Sequence, residues 1–426
     1  MMQWLAATPW THWAIWLISA AAVGGVVARP WGLPEAWWAV AGAAALTVSS
    51  LISPADAAAA VLQGSDVYLF LAGMMLLSEL ARRERLFDWL AAYAVVHSRG
   101  SPRRLFTLVY AVGILVTVLL SNDATAVVLT PAVYAATRHA GTRPMPYLLI
   151  CAFIANAASF VLPISNPANL VVFATHLPSL AIWLEEFLGA SVVSILLTFF
   201  VLRWTQRSAL TGHIAPPAAP LVLTSGGRLA AAGIGATAAL LLTASALEWP
   251  LGLPTLLAGA ATALAIWLTS RESPWPVVRG VSWSILPLVG GLFVLARGIE
   301  NTGLLEPMTR TLAAHAAASP RAASLAAGAA VGLACNVVNN LPLGLIAGSI
   351  ARGAHLSTHL TGALLIGVDL GPNLSITGSL ATLLWLVALR REGENIGALR
   401  FLMLGALVMP PALLASLALF AWLAPG

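Results

Sequence analysis

The stretch Leu119-Leu120-Ser121-Asn122-Asp123-Ala124-Thr125-Ala126-Val127-Val128 sets a carboxylate, an amide and two hydroxyls between two apolar segments. At membrane depth a charge costs at least a few kcal/mol. A chain keeps such a cluster where it faces a cavity or a partner. The run therefore predicts a transport site inside a membrane domain.

Composition agrees. Only 9% of the 426 residues are charged and 59% are hydrophobic. A soluble domain carries about 25% charged residues. The mean hydropathy of +0.89 fits a polytopic membrane protein. All 21 basic residues are Arg. Without a basic stripe interleaved with aromatics, this excess is a topology signal and predicts no nucleic-acid partner. The two cysteines, Cys151 and Cys335, lie in apolar segments, and no CxxC or HExxH spacing occurs. Disulfides, a metal centre and any other cofactor are not expected. The first apolar segment follows no basic n-region and reads as a retained membrane helix.

A spanning helix needs roughly 20 apolar residues. Candidate spans lie near 11–28, 36–53, 66–82, 180–203, 228–246, 251–269, 277–296 and 397–422. Two more apolar stretches, 145–177 and 357–389, are interrupted by Pro163-Ile164-Ser165-Asn166-Pro167-Ala168-Asn169 and by the run Gly371-Pro372-Asn373 through Ser379. Pro breaks the helix ladder and Gly permits the turn. Broken helices survive in a membrane only around a cavity. The regions 103–138 and 321–351 each hold two short apolar arms around a polar tip. They predict re-entrant helical hairpins, with full spanning pairs as the alternative.

The chain repeats itself. Shifted by 218 residues without a gap, 66–124 aligns with 284–342. Gly73 meets Gly291, His97 meets His315, Ser101-Pro102-Arg103 meets Ser319-Pro320-Arg321, and Asn122 meets Asn340. Five crossings in the first half, with Leu86–His97 lying in the interface, make the second half enter from the opposite side. The expected fold is an all-α polytopic membrane protein of two inverted-topology repeats, a frequent plan in secondary transporters. Each repeat has about five spanning helices, one of them broken, and a re-entrant hairpin. The boundaries are 1–204 for the first repeat, 205–227 for a cytoplasmic linker and 228–426 for the second. On this topology only Arg297, Arg310, Arg321 and Arg352 lie on one side; all other Arg, including Arg271 and those of the loops 82–104, 138–144, 203–228 and 390–400, lie on the other. The positive-inside rule makes the Arg-rich side cytoplasmic, with both termini extracytoplasmic.

Asp123 and Asp369 are the candidate proton carriers, each beside a break and one in each repeat. An apolar surrounding penalises the charged carboxylate, so either can take and release a proton. The structural alternative is a cap on the following half-helix. Eight amides sit at breaks or tips: Asn122, Asn156, Asn166, Asn169, Asn336, Asn339, Asn340 and Asn373. An amide donates and accepts without net charge, which suits a neutral polyhydroxylated solute or a cation shell. Polar glue between helices is the plainer role. Ser121, Thr125, Ser165, Thr377 and Ser379 can add hydroxyl ligands or back-bond their own helices. Glu79 and Arg297, equivalent in the repeat, read as interfacial or as a structural pair.

The runs from Leu120-Ser121-Asn122-Asp123-Ala124-Thr125 to Pro131, from Ile154-Ala155-Asn156 to Asn166, Asn339-Asn340-Leu341-Pro342, and Asp369-Leu370-Gly371-Pro372 through Gly378-Ser379-Leu380-Ala381-Thr382-Leu383-Leu384-Trp385 resemble those of the ArsB arsenite permeases of the ion transporter superfamily. The resemblance covers nearly the whole chain. It implies efflux of arsenite and antimonite across the inner, or plasma, membrane in exchange for protons, and a separate arsenite-stimulated ATPase that some members dock. It further implies an elevator-like movement, with substrate and ions held by Ser121, Asn122, Asp123, Thr125, Asn166, Asn339, Asn340, Gly378 and Ser379. One departure falls at Pro372-Asn373, where some relatives carry Lys at the second position; here Asp369 lacks that local cationic partner. A sodium/proton antiporter or sodium-coupled anion carrier of the same superfamily is the alternative. An intramembrane enzyme lacks a catalytic dyad or ligand pair at useful spacing. The bilayer is the expected surrounding partner, and the sequence leaves a homo-oligomer open.

Overall fold

A computed structural model describes residues 9–173, 177–214, 222–270 and 273–423. Arg271, the linker prolines Pro216-Pro217 and both chain ends lie outside the described residues. The first half runs through α1 (Pro9–Ala28), α2 (Glu35–Val48), α3 (Pro54–Gln63), α4 (Ser65–Arg83), α5 (Leu86–His97), α6 (Pro102–Leu119), α7 (Asn122–Ala124), α8 (Thr130–His139), α9 (Met145–Ala157), α10 (Pro167–Val172) and α11 (Leu180–Thr205). The second half runs through α12 (Ser225–Ala246), α13 (Gly252–Ser270), α14 (Trp275–Gly280), α15 (Ile285–Asn301), α16 (Glu306–Ala318), α17 (Pro320–Val338), α18 (Asn340–Gly353), α19 (Thr358–Leu370), α20 (Leu380–Arg391) and α21 (Ala398–Trp422). No strand occurs among the described residues. Among the described residues seven helices are long and apolar enough to cross a membrane, or up to nine if each bent pair counts as one span.

The expected spans need two adjustments. The segment 36–53 is helical only to Val48, and a separate α3 precedes α4 at a bend of 47°. Pro54 fills the first helical position, where a missing N–H costs nothing, and Ser53 caps it by accepting from Asp56 N at 2.9 Å. The segment 277–296 is likewise split. α14 stops at Gly280 and α15 starts at Ile285, which leaves Pro287 in the first turn where a proline is tolerated.

Element order is duplicated, and the contacts between halves are reciprocal. α4 packs on α13 while its counterpart α15 packs on α2. α10 packs on the hairpin arm α18 while α20 packs on the first hairpin's tip. Contacts exchanged in this way are what a two-fold relation produces.

The Arg-bearing loops meet at one end. Arg83 Nη2 donates to Pro276 O at 2.7 Å. Ile214 N donates to Gly100 O at 3.0 Å, and Thr224 Oγ1 to Glu84 O at 3.5 Å. With 12 residues, about 18 Å at 1.5 Å per residue, α5 is shorter than the roughly 30 Å hydrocarbon core. Tyr147 Oη donates to Pro102 O at 3.2 Å, which brings the start of α6 beside the start of α9. The hairpin α6–α8 therefore opens and closes at that end. At the other end of α4, Arg297 Nη2 donates to Gln63 Oε1 at 2.9 Å. Arg352 of α18 approaches Glu300 of α15 there at 3.5 Å.

Glu79 and Arg297 do not pair with each other. Glu79 holds Arg82 at 2.6 Å and Arg83 at 3.0 Å, whereas Arg297 holds Glu300 at 3.2 Å. The order of charges along α4 is reversed along α15.

α17 and α19 cross backbone to backbone. Gly328 and Gly332 on α17 face Gly367 of α19 and Gly371 just past its end, each pair four residues apart. A Cβ at Gly371 would meet the backbone of Gly332, and one at Gly367 would meet that of Gly328. Small residues at this spacing let membrane helices touch backbone to backbone. Gly367→Val and Gly371→Val should each destabilise the fold by about 1–3 kcal/mol. Gly24→Ala, at a position with nothing within 4 Å of the new methyl, should leave it unchanged. Thermal melting followed by size-exclusion chromatography would distinguish the two classes.

Candidate functional site

The interrupted segments meet in the middle of the fold. In the first half, α9 ends at Ala157 and a short helical turn, Pro163–Ser165, precedes α10. In the second, α19 ends at Leu370, and the turns Gly371–Asn373 and Ile376–Gly378 precede α20. Each break frees carbonyls that have no water to accept from. Buried amides satisfy them, as the cost of bare polar groups in a membrane requires. Asn169 Nδ2 donates to Ser159 O at 2.9 Å, Leu162 O at 3.2 Å and Pro163 O at 3.3 Å. Asn336 Nδ2 donates to Gly332 O at 3.0 Å and Gly371 O at 3.1 Å. Its Oδ1 accepts from Ser375 Oγ at 2.7 Å, and Thr377 Oγ1 donates to its backbone carbonyl at 2.9 Å. Asn339, at the second hairpin's tip, donates to Thr377 O at 3.1 Å.

At the breaks, Asn156 and Asn166 of the first half bond side chains of the second. Asn156 Nδ2 donates to Asn373 Oδ1 at 3.0 Å and to Thr382 Oγ1 at 3.3 Å, and its Oδ1 accepts from Ser379 Oγ at 3.3 Å. Asn166 Nδ2 donates to Asp369 Oδ1 at 2.7 Å. Asp369 has no exposed surface, and its Oδ2 accepts no hydrogen bond from a described residue. Among the described residues no Arg is paired with it. Asn166 reaches Asp369 because it stands in the break. Its backbone is extended, and its Oδ1 caps α10 through Ala168 N at 3.0 Å.

The first hairpin's tip is built differently. Ser121 is extended and accepts from Ala124 N at 3.1 Å, while Asn122 Oδ1 accepts from Asp123 N at 2.9 Å. Thr125 is buried and shares a hydrogen bond with Thr117 at 2.8 Å. The following turns, Thr125–Leu129, are π-helical. Pro131 cannot donate to the ladder there, and Thr130 Oγ1 donates to Ala126 O at 2.7 Å instead. Asp123 is half-buried and, among the described residues, forms no ion pair. Ser165 Oγ donates to Val118 O at 3.2 Å, which seats the first break on the end of α6.

The residues singled out by sequence fall into two groups. Asn169, Ser165, Thr377, Ser379 and Asn339 hold backbone or other side chains. Asn122, Asp123, Asn340 and Asp369 each keep a polar atom free of such duties. Gly378 packs where a Cβ would meet Pro372 and Asn336. Sequence reasoning passed over Ser159, Thr382 and Ser375. Each lies three or fewer residues from a break, and that spacing was the available signal.

The comparisons with known proteins follow this geometry. A family model described as citrate transporter, CitMHS, matches residues 13–370. The chain belongs to the CitMHS family. This CitMHS protein is 27% identical over 412 residues to the arsenical pump membrane protein of Escherichia coli K12, covering 93% of this chain and 95% of that one. It is 27% identical over 409 residues to the arsenical pump membrane protein of Yersinia enterocolitica, covering 92% and 94%. A putative arsenical pump membrane protein of Bacillus subtilis is 24% identical over 427 residues, covering 93% and 96%. The resemblance to arsenite permeases carried by the polar runs agrees with these matches. The Alcanivorax borkumensis YdaH transporter, whose crystal structure is described as having an unusual topology, matches with a TM-score of 0.57 at 15% identity. It covers 87% of this chain and 89% of that one, and shares the fold. The CitMHS chain is a multi-pass membrane transporter.

The two groups of residues should separate in experiment. Asn169→Ala strips hydrogen bonds from the carbonyls of the first break. It should lower stability by about 1–3 kcal/mol, read as a fall in melting midpoint. Asn122→Ala removes one local bond at a tip and should leave the midpoint nearly unchanged.

Proposed function

We propose that this protein exports trivalent arsenic and antimony from the cytoplasm in exchange for protons. The observation that carries this reading is the Asn166–Asp369 contact, a buried carboxylate held across the two halves by a neutral amide and, among the described residues, by no cation. A proton can reside on its bare Oδ2 and leave again without stranding a buried positive partner. Similarity to arsenical pump proteins over 93% of the chain supports the substrate class. Arsenite at neutral pH is an uncharged trihydroxide. The tip amides, Asn122 and Asn340, can donate to and accept from such a solute without charge pairing.

The proposal takes the halves 1–204 and 228–426 as inverted repeats joined by a linker at 205–227, with the Arg-bearing end in the cytoplasm. The hairpins and broken helices move together in an elevator-like step, and Asp123 faces the solute at the first tip. A separate ATPase would meet the Arg-bearing end, where the linker lies.

The family description favours a second reading, a sodium-coupled carrier of citrate. A tricarboxylate would call for cations at the site. Arg352, near the second hairpin, is engaged by Glu300 and Ser349.

Everted vesicles test both readings. An acid-inside gradient should drive accumulation of arsenite, with or without sodium, and Asp369→Asn should abolish it while the protein still folds. Unchanged accumulation by the variant would falsify the role of Asp369. Sodium-dependent citrate uptake without arsenite uptake would replace the first reading by the second.

A further inference from the structure

Away from the transport site, the first half carries a basic pocket where α5 turns into α6. The turn lies at the start of α6, about 27 Å along that helix from the tip at Ser121. An open cavity of about 480 Å³ lies between the turn and the segment that follows α11. Arg99, Ser101 and Arg103 line it from the turn, and Leu210, Thr211 and His213 line it from that segment. No acidic residue lines it.

Packing fixes the walls. Leu210 and Ile214 are buried, and Ile214 N holds Gly100 O at 3.0 Å. Arg99 and Gly100 turn the chain in left-handed backbone, at φ 51° and 78°. The turn needs glycine at 100, because a Cβ there would overlap the His213 ring. His213 is therefore seated on the turn. The second half differs. On the 218-residue register Arg99 and Gly100 correspond to Ala317 and Ala318, which continue α16 as helix.

The charge in the pocket is unpaired. Arg99 and Arg103 are exposed, and neither has an acidic partner among the described residues. Other arginines of these loops are engaged: Arg85 by Asp88, Arg203 by the Phe199 ring and Arg207 by the Trp204 ring. The positive-inside rule asks only that Arg lie on this side of the membrane. It does not ask two of them to share a concave site with an imidazole and no acid. Like charges at one site repel, and an anion between them relieves the repulsion. Two guanidinium forks beside an imidazole and the hydroxyls of Ser101 and Thr211 match the several oxygens of a phosphate. The volume leaves room for the group that a phosphate carries.

We propose that this pocket binds the phosphate of an organic phosphate ester, held by Arg99, Arg103 and His213. A phospholipid headgroup and a soluble phosphate ester present the same chemistry. The site does not depend on the substrate proposed above.

Native mass spectrometry of the delipidated full chain tests it, with phosphatidylglycerol, phosphatidylcholine and glycerol 3-phosphate as probes. Wild-type protein should hold one anionic probe about tenfold more tightly than phosphatidylcholine. Tighter binding of phosphatidylglycerol than of glycerol 3-phosphate makes the source a lipid headgroup; equality or the reverse order makes it a soluble ester. Arg99→Gln with Arg103→Gln should lose the preference. Thr211→Glu, which sets a carboxylate among intact arginines, should lose it too. Arg104→Gln, at an exposed position outside the lining, should keep it. All four side chains are exposed, so melting midpoints should match that of the wild type. No preference in the wild type, preference retained by both pocket variants, or an equal loss in Arg104→Gln would each overturn the proposal.

Discussion

The rest of the structure depends on a carboxylate that must stay buried without a cation. Asp369 has no exposed surface, and its partner is the amide of Asn166, 2.7 Å away on the other half. Asn166 reaches Asp369 from the break, where its own backbone is extended and its Oδ1 caps α10. Pro163 and Pro167 open the two short helical pieces there and keep the residues before them, Leu162 and Asn166, extended. The break then creates carbonyls of its own, and these draw in Asn169. One interaction accounts for the unusual density of amides in an apolar chain.

The amides divide by what a membrane cannot tolerate. Asn169, Asn336 and Asn339 meet backbone carbonyls that would otherwise stand bare. Asn156 and Asn373 meet each other across the halves. These residues make the breaks rigid. The tips of the hairpins are left with Asn122, Asp123 and Asn340, whose side chains have little structural work. A rigid frame around freely placed polar tips suits a site that must offer the same groups to a solute from one side and then from the other.

Much of this was legible in the sequence. Apolar length gave the long helices α1, α11, α12, α13 and α21, because span length follows from bilayer thickness. Pro and Gly located both broken helices, and the repeat located the hairpin tips, since identical residues at one offset report duplicated geometry. The shorter pieces were less legible. α3 and α14 are amphipathic turns inside apolar runs, and hydropathy averages across them. Within the site, sequence could name the amides but not divide them. Whether Asn169 faces a solute or a carbonyl depends on a break only a few residues long, whose path is set by packing with the other half. Ser159, Ser375 and Thr382 escaped notice because a lone hydroxyl in an apolar helix looks the same whether it bonds its own backbone or a neighbouring amide.

The charge pairs at the ends of α4 and α15 carry a lesson about the duplication. Glu79 precedes Arg82 in one half, and Arg297 precedes Glu300 in the other. Each pair is neutral as a unit, so the reversal changes no sum. It changes the polarity that each helix presents to its own end of the molecule. A chain whose α15 copied α4 would offer Arg82 and Arg83 where Glu300 now receives Arg352 and Ser349, and the second hairpin would meet like charge. The halves share a plan, yet neither can stand in for the other.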